Sequence, residues 1–345
     1  MKFVWAIVAL AFVAAGAVTL RPDLLPGAED WMLHTPMAHL ISVRPWIALG
    51  FLGIALFFLI FSAIRAKMFG LGKIALATGV AYLVMAIFQG GTVYMRGVAA
   101  PTKLGPDHGV TAAGAGNGAV TVMAFNTLGG SIDAAEVARV AEVNGVDVMV
   151  LPETSTAEGA DMVEKLAAQG LSFAQFDTGT DQYATDFEST VVLVSEALGE
   201  YRQVSPEGFP ASTVVVTPAD GKGPKIIGVH PVAPVRVGME QWESDISAIY
   251  SACQAEGPFI IAGDFNSTID HQLALGATCA DGRIEAGSGG LGTWPAHLPA
   301  LLGAPIDRVL HDGNNYRGVE AIEIESGTSD HRGVIVRLAP AGDRV

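Results

Sequence analysis

The stretch Phe259-Ile260-Ile261-Ala262-Gly263-Asp264-Phe265-Asn266 decides how this chain reads. An apolar run of strand type passes through a glycine and stops abruptly on polar residues. The same ending recurs. Val122-Met123-Ala124-Phe125 stops at Asn126, Val148-Met149-Val150-Leu151-Pro152 at Glu153, and Ile226-Ile227-Gly228-Val229 at His230. Pro305-Ile306 runs into Asp307, and Gly327-Thr328-Ser329-Asp330-His331 immediately precedes the last apolar run. A single polar residue at a strand end is ordinarily a turn or a cap. Six such endings together supply two Asn, one Glu, three Asp and two His. That set suits an oxygen-ligated cation and a phosphate.

Around these endings, nine short β-rich runs extend from Val120–Phe125 to Gly333–Leu338, and three helical stretches cover Ile132–Val143, Glu158–Ala168 and Met239–Gln254. No internal repeat is visible. Many strands with few helices predict a two-sheet α/β sandwich rather than a doubly wound parallel sheet.

Composition divides the chain. Its 345 residues are half hydrophobic and only 16% charged, yet the net charge is −15. Residues 1–119 carry a net +4 and residues 120–345 a net −19. This pairing excludes a disordered chain, a simple cytosolic globular protein and a basic nucleic-acid-binding module.

Uncharged apolar runs at 3–20, 46–64 and 74–94 reach roughly 27–31 Å as helices, the thickness of a bilayer core. Gln89-Gly90-Gly91 interrupts the third. Arg65, Lys67 and Lys73 in the intervening loop, and Lys2 ahead of the first run, place that loop and the N-terminus in the cytoplasm and residues 120–345 outside. A rival reading makes residues 1–17 a signal peptide, with Ala15-Gly16-Ala17 as a small-residue cleavage site; it leaves the acidic part outside as well. Residues 97–119, rich in Gly and Ala, read as a linker that would span about 26 Å if flexible. The expected organisation is thus three transmembrane helices in 1–96, a linker at 97–119 and a domain at 120–345.

The segments Phe125-Asn126, Leu151-Pro152-Glu153, Val229-His230, Gly263-Asp264-Phe265-Asn266, Ile306-Asp307 and Ser329-Asp330-His331 resemble, in order, those of the endonuclease/exonuclease/phosphatase superfamily. Thr293-Trp294-Pro295 resembles its bacterial members. The likeness covers about residues 120–338. It departs from the family at Pro152, where Gln is commoner, and at Arg308, where His often follows the Asp.

The resemblance implies a four-layer α/β sandwich and a metal-dependent phosphoesterase using Mg²⁺ or Mn²⁺. It implies Glu153 as principal metal ligand, with Asn126 and Asp330 nearby. Asp264 would orient or deprotonate the attacking water, and Asn266 would donate to the developing phosphorane. His331 would contact the phosphate and act as acid or base, oriented by Asp307. His230 is a second phosphate ligand or general acid, and Glu188, two residues before a strand, its expected orienting partner. The short tether favours phosphoesters at the extracytoplasmic membrane face, either phospholipid headgroups or the polyprenyl (pyro)phosphates suggested by similarity to three-span bacterial members linked with glycopeptide-antibiotic resistance. An extracytoplasmic nuclease or nucleotide phosphatase is the alternative, although an acidic domain offers no footprint for stable nucleic-acid binding. A non-catalytic sensor on this fold would be expected to have lost some of these positions, and none is lost.

The remaining polar residues read more plainly. His271, His297 and His311 are expected in loops, and Arg236, Arg283 and Arg317 in surface ion pairs, with binding of a substrate phosphate as the alternative. Cys253 and Cys279 are the only cysteines; outside the membrane they either form one disulfide or remain as buried thiols.

Overall fold

The computed structural model describes residues 2–70, 72–105, 119–179 and 188–342. The chain forms two compact units, residues 1–95 and 96–345. In the first, α1 (Lys2–Ala17), the short α2 (Ala28–Met32) and α3 (Met37–Ser42), α4 (Arg44–Phe69) and α5 (Lys73–Met95) follow one another. By length and composition, α4 and α5 are long and apolar enough to cross a membrane; α1 is shorter, at 16 residues. Arg65 and Lys67 lie on the last turns of α4 rather than in the loop, which begins after the left-handed cap at Gly70.

Gln89 does not interrupt α5. It is fully buried, accepts a hydrogen bond from Arg44 at the start of α4 and donates to the Thr19 carbonyl at 2.9 Å. Tyr82 of α5 donates to the Phe12 carbonyl at 2.7 Å. The polar interruption expected in the third run is thus where the helices of this unit are tied together.

The second unit holds β1 (Val120–Ala124), α6 (Ala134–Asn144), β2 (Val148–Pro152), α7 (Thr156–Ala168), β3 (Phe173–Asp177), β4 (Thr190–Ser195), β5 (Tyr201–Val204), β6 (Val214–Pro218) and β7 (Lys225–Val229). It continues through α8 (Met239–Ser251), β8 (Phe259–Asp264), α9 (Ile269–Ala274), β9 (Ala280–Asp281), α10 (Gly282–Glu285), β10 (Asp307–His311), β11 (Tyr316–Ile324) and β12 (Gly333–Pro340). Two six-stranded sheets result, ordered β11-β12-β1-β2-β4-β3 and β5-β6-β7-β8-β10-β9. The pairs β1–β2 and β7–β8 are parallel, and the others are antiparallel.

Strand alternation builds the layers. Val122, Ala124, Val148, Val150 and Val192 face Val214, Val216, Ile226, Ile260, Ala262 and Val309 between the sheets. Met123, Phe125, Met149 and Leu151 face Val137, Ala141, Met162 and Leu166 of α6 and α7. Each such side chain, fully buried, contributes about 1.5–3 kcal/mol relative to exposure. On the far side, Arg308 on the outer face of β10 bonds Tyr250 of α8. This is the sandwich the sequence predicts.

Helix starts follow their caps. Asp133 accepts from the Ala135 amide, so α6 begins at Ala134. Ser155 and Glu158 form a capping box, which starts α7 at Thr156 rather than Glu158.

Residues 97–105, expected in the linker, lie on the second unit instead. Arg96 makes a two-pronged pair with Asp270 at 2.7 and 2.8 Å. The Gly97 carbonyl accepts from the Gly290 amide, and Leu104 is buried in the core beside α6. Residues 106–118 of that stretch fall outside the described residues.

Cys253 and Cys279 form a disulfide closing a separation of 26 residues. Cross-linking a loop of that size stabilises by about 3 kcal/mol in the chain-entropy account. Replacing both cysteines by serine should lower the unfolding free energy of this unit by about that amount. Chemical denaturation measures it, and a change below about 0.5 kcal/mol would contradict the assignment.

Candidate active site

The parallel pairs bring the C-terminal ends of β1, β2, β7 and β8 to one edge of the sandwich. Their antiparallel partners β10 and β12 begin at that same edge, where Asp307 sits opposite Asp264 and Val334 opposite Ala124. Parity then selects the side. Asn126, His230 and Asp264 continue the rows of Ala124, Gly228 and Ala262, and Asp307 the row of Val309, all directed between the sheets.

Glu153 breaks parity. Alternation would carry it toward the helices with Met149 and Leu151, but its backbone adopts φ +54°. Asn266 is also left-handed, at φ +45°. Each costs about 1–2 kcal/mol, more readily borne by Asn than by Glu. Gly263 has φ +137°, and a β-carbon there would lie 2.1 Å from the Val229 carbonyl oxygen, so glycine is required where β8 passes β7.

The side chains converge. Asn126 Nδ2 donates to Glu153 Oε1 at 2.9 Å and to Asp264 Oδ2 at 3.3 Å, bridging the two carboxylates. His230 Nε2 lies 3.6 Å from Glu153 Oε1 and 3.9 Å from Asp264 Oδ2. His331 Nε2 lies 3.7 Å from Asp264 Oδ2, while its Nδ1 is 2.8 Å from Asp307 Oδ2. The Asn266 amide donates to Asp264 Oδ1 at 2.8 Å. Among the described residues, Glu153 Oε2 and Asp307 Oδ1 are buried without a hydrogen-bond partner.

Burial pushes the Glu153 carboxyl up. The Asn126 hydrogen bond offsets this in part, and the Asp264 charge adds to it. Burial also raises Asp264, against the pull of His331. For His331, burial disfavours the charged ring, but Asp307 and then Asp264 outweigh it and push the imidazole up to about 10. His331 is therefore an imidazolium held between two aspartates.

Asn126, Glu153, His230, Asp264, Asp307 and His331, all expected from sequence, stand together. Asn266 sits beside them with Nδ2 tied to the Pro231 carbonyl at 2.9 Å. Asp330 lies at the rim, its side chain 45% exposed and Oδ1 4.0 Å from His331 Nε2. Glu188 is exposed just before β4; residues 180–187 ahead of it lie outside the described residues.

Several roles were not legible. Ser329 donates to the Asn126 carbonyl and accepts from the His331 amide, so it braces the last motif. Trp294 Nε1 donates to Asp330 Oδ2 at 2.9 Å, and Thr293 Oγ1 accepts from the Asp307 amide at 3.0 Å. Thr127 Oγ1 donates to the Glu153 carbonyl at 2.8 Å, beneath the strained residue. The motif Thr293-Trp294 was the one signal for two of these.

Three side chains are corrected. His271 is buried within the capping box of α9 rather than in a loop, and His311 is buried on β10 against Glu285 at 2.9 Å. Arg283 is not at the surface but buried, paired with Glu323 at 2.5 Å. His297, Arg236 and Arg317 are exposed.

The donor set fits a hard divalent cation. Glu153 Oε2 is a buried, unbonded carboxylate oxygen, and ligand atoms of Asp264, Asp307 and His331 lie within 4.8 Å of one another. Of the two groupings, Glu153 has the freer lone pairs, since Asp307 and His331 are bonded to each other. Asn126 Oδ1, expected to help hold the ion, accepts from the Leu128 amide at 3.0 Å.

Fold and site define a two-sheet α/β sandwich with a buried carboxylate–histidine cluster at one edge. The chain belongs to the endonuclease/exonuclease/phosphatase family, whose sequence profile matches residues 123–331. A family member from Bacteroides vulgatus has the same fold at 14% identity, covering 64% of this chain and 99% of that one, with a TM-score of 0.50. A Beutenbergia cavernae member is 18% identical over 65% of this chain and 72% of its own, with a TM-score of 0.48. A mannosyl-6-phosphatase of Bacteroides thetaiotaomicron is 13% identical over 64% and 99%, with a TM-score of 0.47. By sequence, a UPF0294 protein of Vibrio parahaemolyticus is 28% identical over 120 residues, 34% of this chain. The match spans about two fifths (41%) of that curated relative.

Arg308, the departure from the family pattern, points away from the site. Alternation sends it to the outer face of β10, where it bonds Asp281 at 3.0 Å, the Tyr250 hydroxyl at 2.7 Å and Gln272 at 2.6 Å. Arg308→Ala should cost about 3 kcal/mol of stability by stranding a buried carboxylate. Activity per folded molecule should stay within about twofold of wild type, because a broken buried pair acts on stability. Unfolding curves and active-site titration check both; lost activity with unchanged stability would contradict the structural role.

Proposed function

We propose that this chain is a membrane-anchored, divalent-metal-dependent phosphoesterase acting at the extracytoplasmic membrane face on lipid-linked phosphate, either a phospholipid headgroup or a polyprenyl (pyro)phosphate. The observation that carries the catalytic part is the buried cluster of Glu153, Asp264, Asp307 and His331, with one Glu153 oxygen left without a hydrogen bond. Three features support the placement. The helices α4 and α5 are long enough to span, Cys253 and Cys279 are joined as in an oxidising compartment, and residues 120–345 carry a net −19 that disfavours free polyanions such as DNA.

Phosphoester hydrolysis is limited by the charge around phosphorus, which repels an incoming nucleophile. Glu153, helped by Asp330 and Asn126, would hold Mg²⁺ or Mn²⁺, which supplies charge neutralisation at the phosphate oxygens. Asp264 faces the space between the sheets with both oxygens oriented, by the Asn266 amide and Asn126, and is placed to align and deprotonate water. His331, kept charged by Asp307, donates to a phosphate oxygen and stabilises the charge that builds there. His230, whose Nε2 lies 3.9 Å from the same Asp264 oxygen that His331 faces, offers a second donor and is the candidate acid for the leaving oxygen. Asn266, anchored to Pro231, keeps the loop after Asp264 in place and has a second amide proton for the phosphorane. Glu188 as partner of His230 belongs to the same proposal.

The full chain in detergent should hydrolyse an aryl phosphodiester or a lipid phosphate. EDTA should abolish the activity, and Mg²⁺ or Mn²⁺ should restore it. Asp264→Ala and His331→Ala should each lower kcat by about 10³ or more with folding intact by circular dichroism. Activity indifferent to chelation would overturn the metal assignment. A substrate panel preferring DNA or nucleotides over lipid phosphates would overturn the substrate class.

A further inference from the structure

Seven large apolar side chains are exposed among the described residues of the second unit: Val143, Val232, Val235, Val237, Leu273, Trp294 and Leu301. Six of them lie on segments that leave or enter the active-site edge. Val232, Val235 and Val237 follow His230 directly, Leu273 is on α9 just past Asn266, and Trp294 and Leu301 precede Asp307. Val143 is apart, on the last turn of α6, which leads into the opposite end of β2.

These segments are held, not loose. The Pro231 carbonyl accepts from Asn266, Trp294 donates to Asp330, and Arg332 donates to the carbonyls of Ala296 and Leu298 at 2.5 and 2.7 Å. Val237 is nonetheless 99% exposed. Charge is depleted around five of these six. Residues 231–239 and 287–306 contain a single charged side chain, Arg236, within a region carrying a net −19. Exposed apolar side chains around one cation, with Asp330 at the rim tied to Trp294, match the interfacial zone of a bilayer, where an arginine stem lies among apolar groups and its head meets anionic lipid.

Chain connectivity favours this occupant over a soluble protein. The second unit begins at Arg96, the residue after the last of α5, and Arg96 is clamped to Asp270 on the same helix as Leu273. We infer that the active-site edge, through Val232, Val235, Val237 and Trp294, docks into the headgroup region of a phospholipid bilayer and takes its phosphoester from that surface. The inference rests on the membrane-anchored reading above and adds the face by which the enzyme meets lipid.

Both native cysteines are joined to each other, so one added cysteine gives a unique label site. Val237→Cys, Val143→Cys and Ile60→Cys (on α4) would each be labelled in detergent with a nitrobenzoxadiazole fluorophore. The labelled full-length chains would then be reconstituted into phosphatidylcholine/phosphatidylglycerol vesicles with or without doxyl-labelled lipid, a contact quencher. The expected result is quenching of about twofold or more at Val237→Cys and Ile60→Cys, with Val143→Cys unchanged. Ile60→Cys quenched while Val237→Cys behaves like Val143→Cys would overturn the docking face and leave the anchor standing. Quenching at neither Val237→Cys nor Ile60→Cys would overturn both. The outcome does not depend on activity, so a wrong substrate class cannot be mistaken for a wrong docking face.

Discussion

Three carboxylates buried at one edge of the sandwich face the His331 imidazolium and the His230 ring. The partners of Glu153, Asp264 and Asp307 are Asn126, the two histidines and a backbone amide. Burial raises both Glu153 and Asp264 toward protonation, and one Glu153 oxygen has no bond at all. A site like this is uncomfortable as an isolated protein surface and suited to a small cation and a phosphate. Much of the surrounding structure can be read as what it takes to hold that arrangement.

Two backbone departures do the aiming. Left-handed geometry at Glu153 turns it against strand parity, and at Asn266 it folds the amide back onto Asp264. Such strain persists only where the surroundings over-determine it. Thr127 beneath Glu153, Ser329 joining Asn126 to His331, and Thr293 beneath Asp307 supply that bracing. Further out, the buried pairs Arg308–Asp281 and Arg283–Glu323 fasten β10 and α10 to their neighbours.

The site was legible because strand alternation makes an apolar run and its polar ending parts of one signal. Asn126, His230 and Asp264 each continue an inward-facing row, so the sequence around them announces both the strand and the residue it delivers. Glu153 was legible as an ending, but its reversal of side was not, since nothing in Leu-Pro-Glu marks a left-handed carboxylate. The edge strands β3 and β5 escaped notice because Phe173–Asp177 and Tyr201–Val204 are half-exposed and lack the apolar run of central strands. His271, His311 and Arg283 looked like surface residues because the carboxylate or capping partner that permits their burial is supplied by the fold. Gln89 looked like a break in a helix for the same reason: its partners, Arg44 and Thr19, are 45 and 70 residues away.

The central claim is that Glu153 is kept buried and left-handed in order to hold a divalent cation. Calorimetric titration of Mn²⁺ into the metal-stripped full-length chain, beside Glu153→Gln, tests it most directly, because the substitution keeps shape and removes charge. The account predicts one ion bound by the wild-type chain and affinity weakened by about tenfold or more in the variant. Equal Mn²⁺ affinity in the two proteins would contradict it.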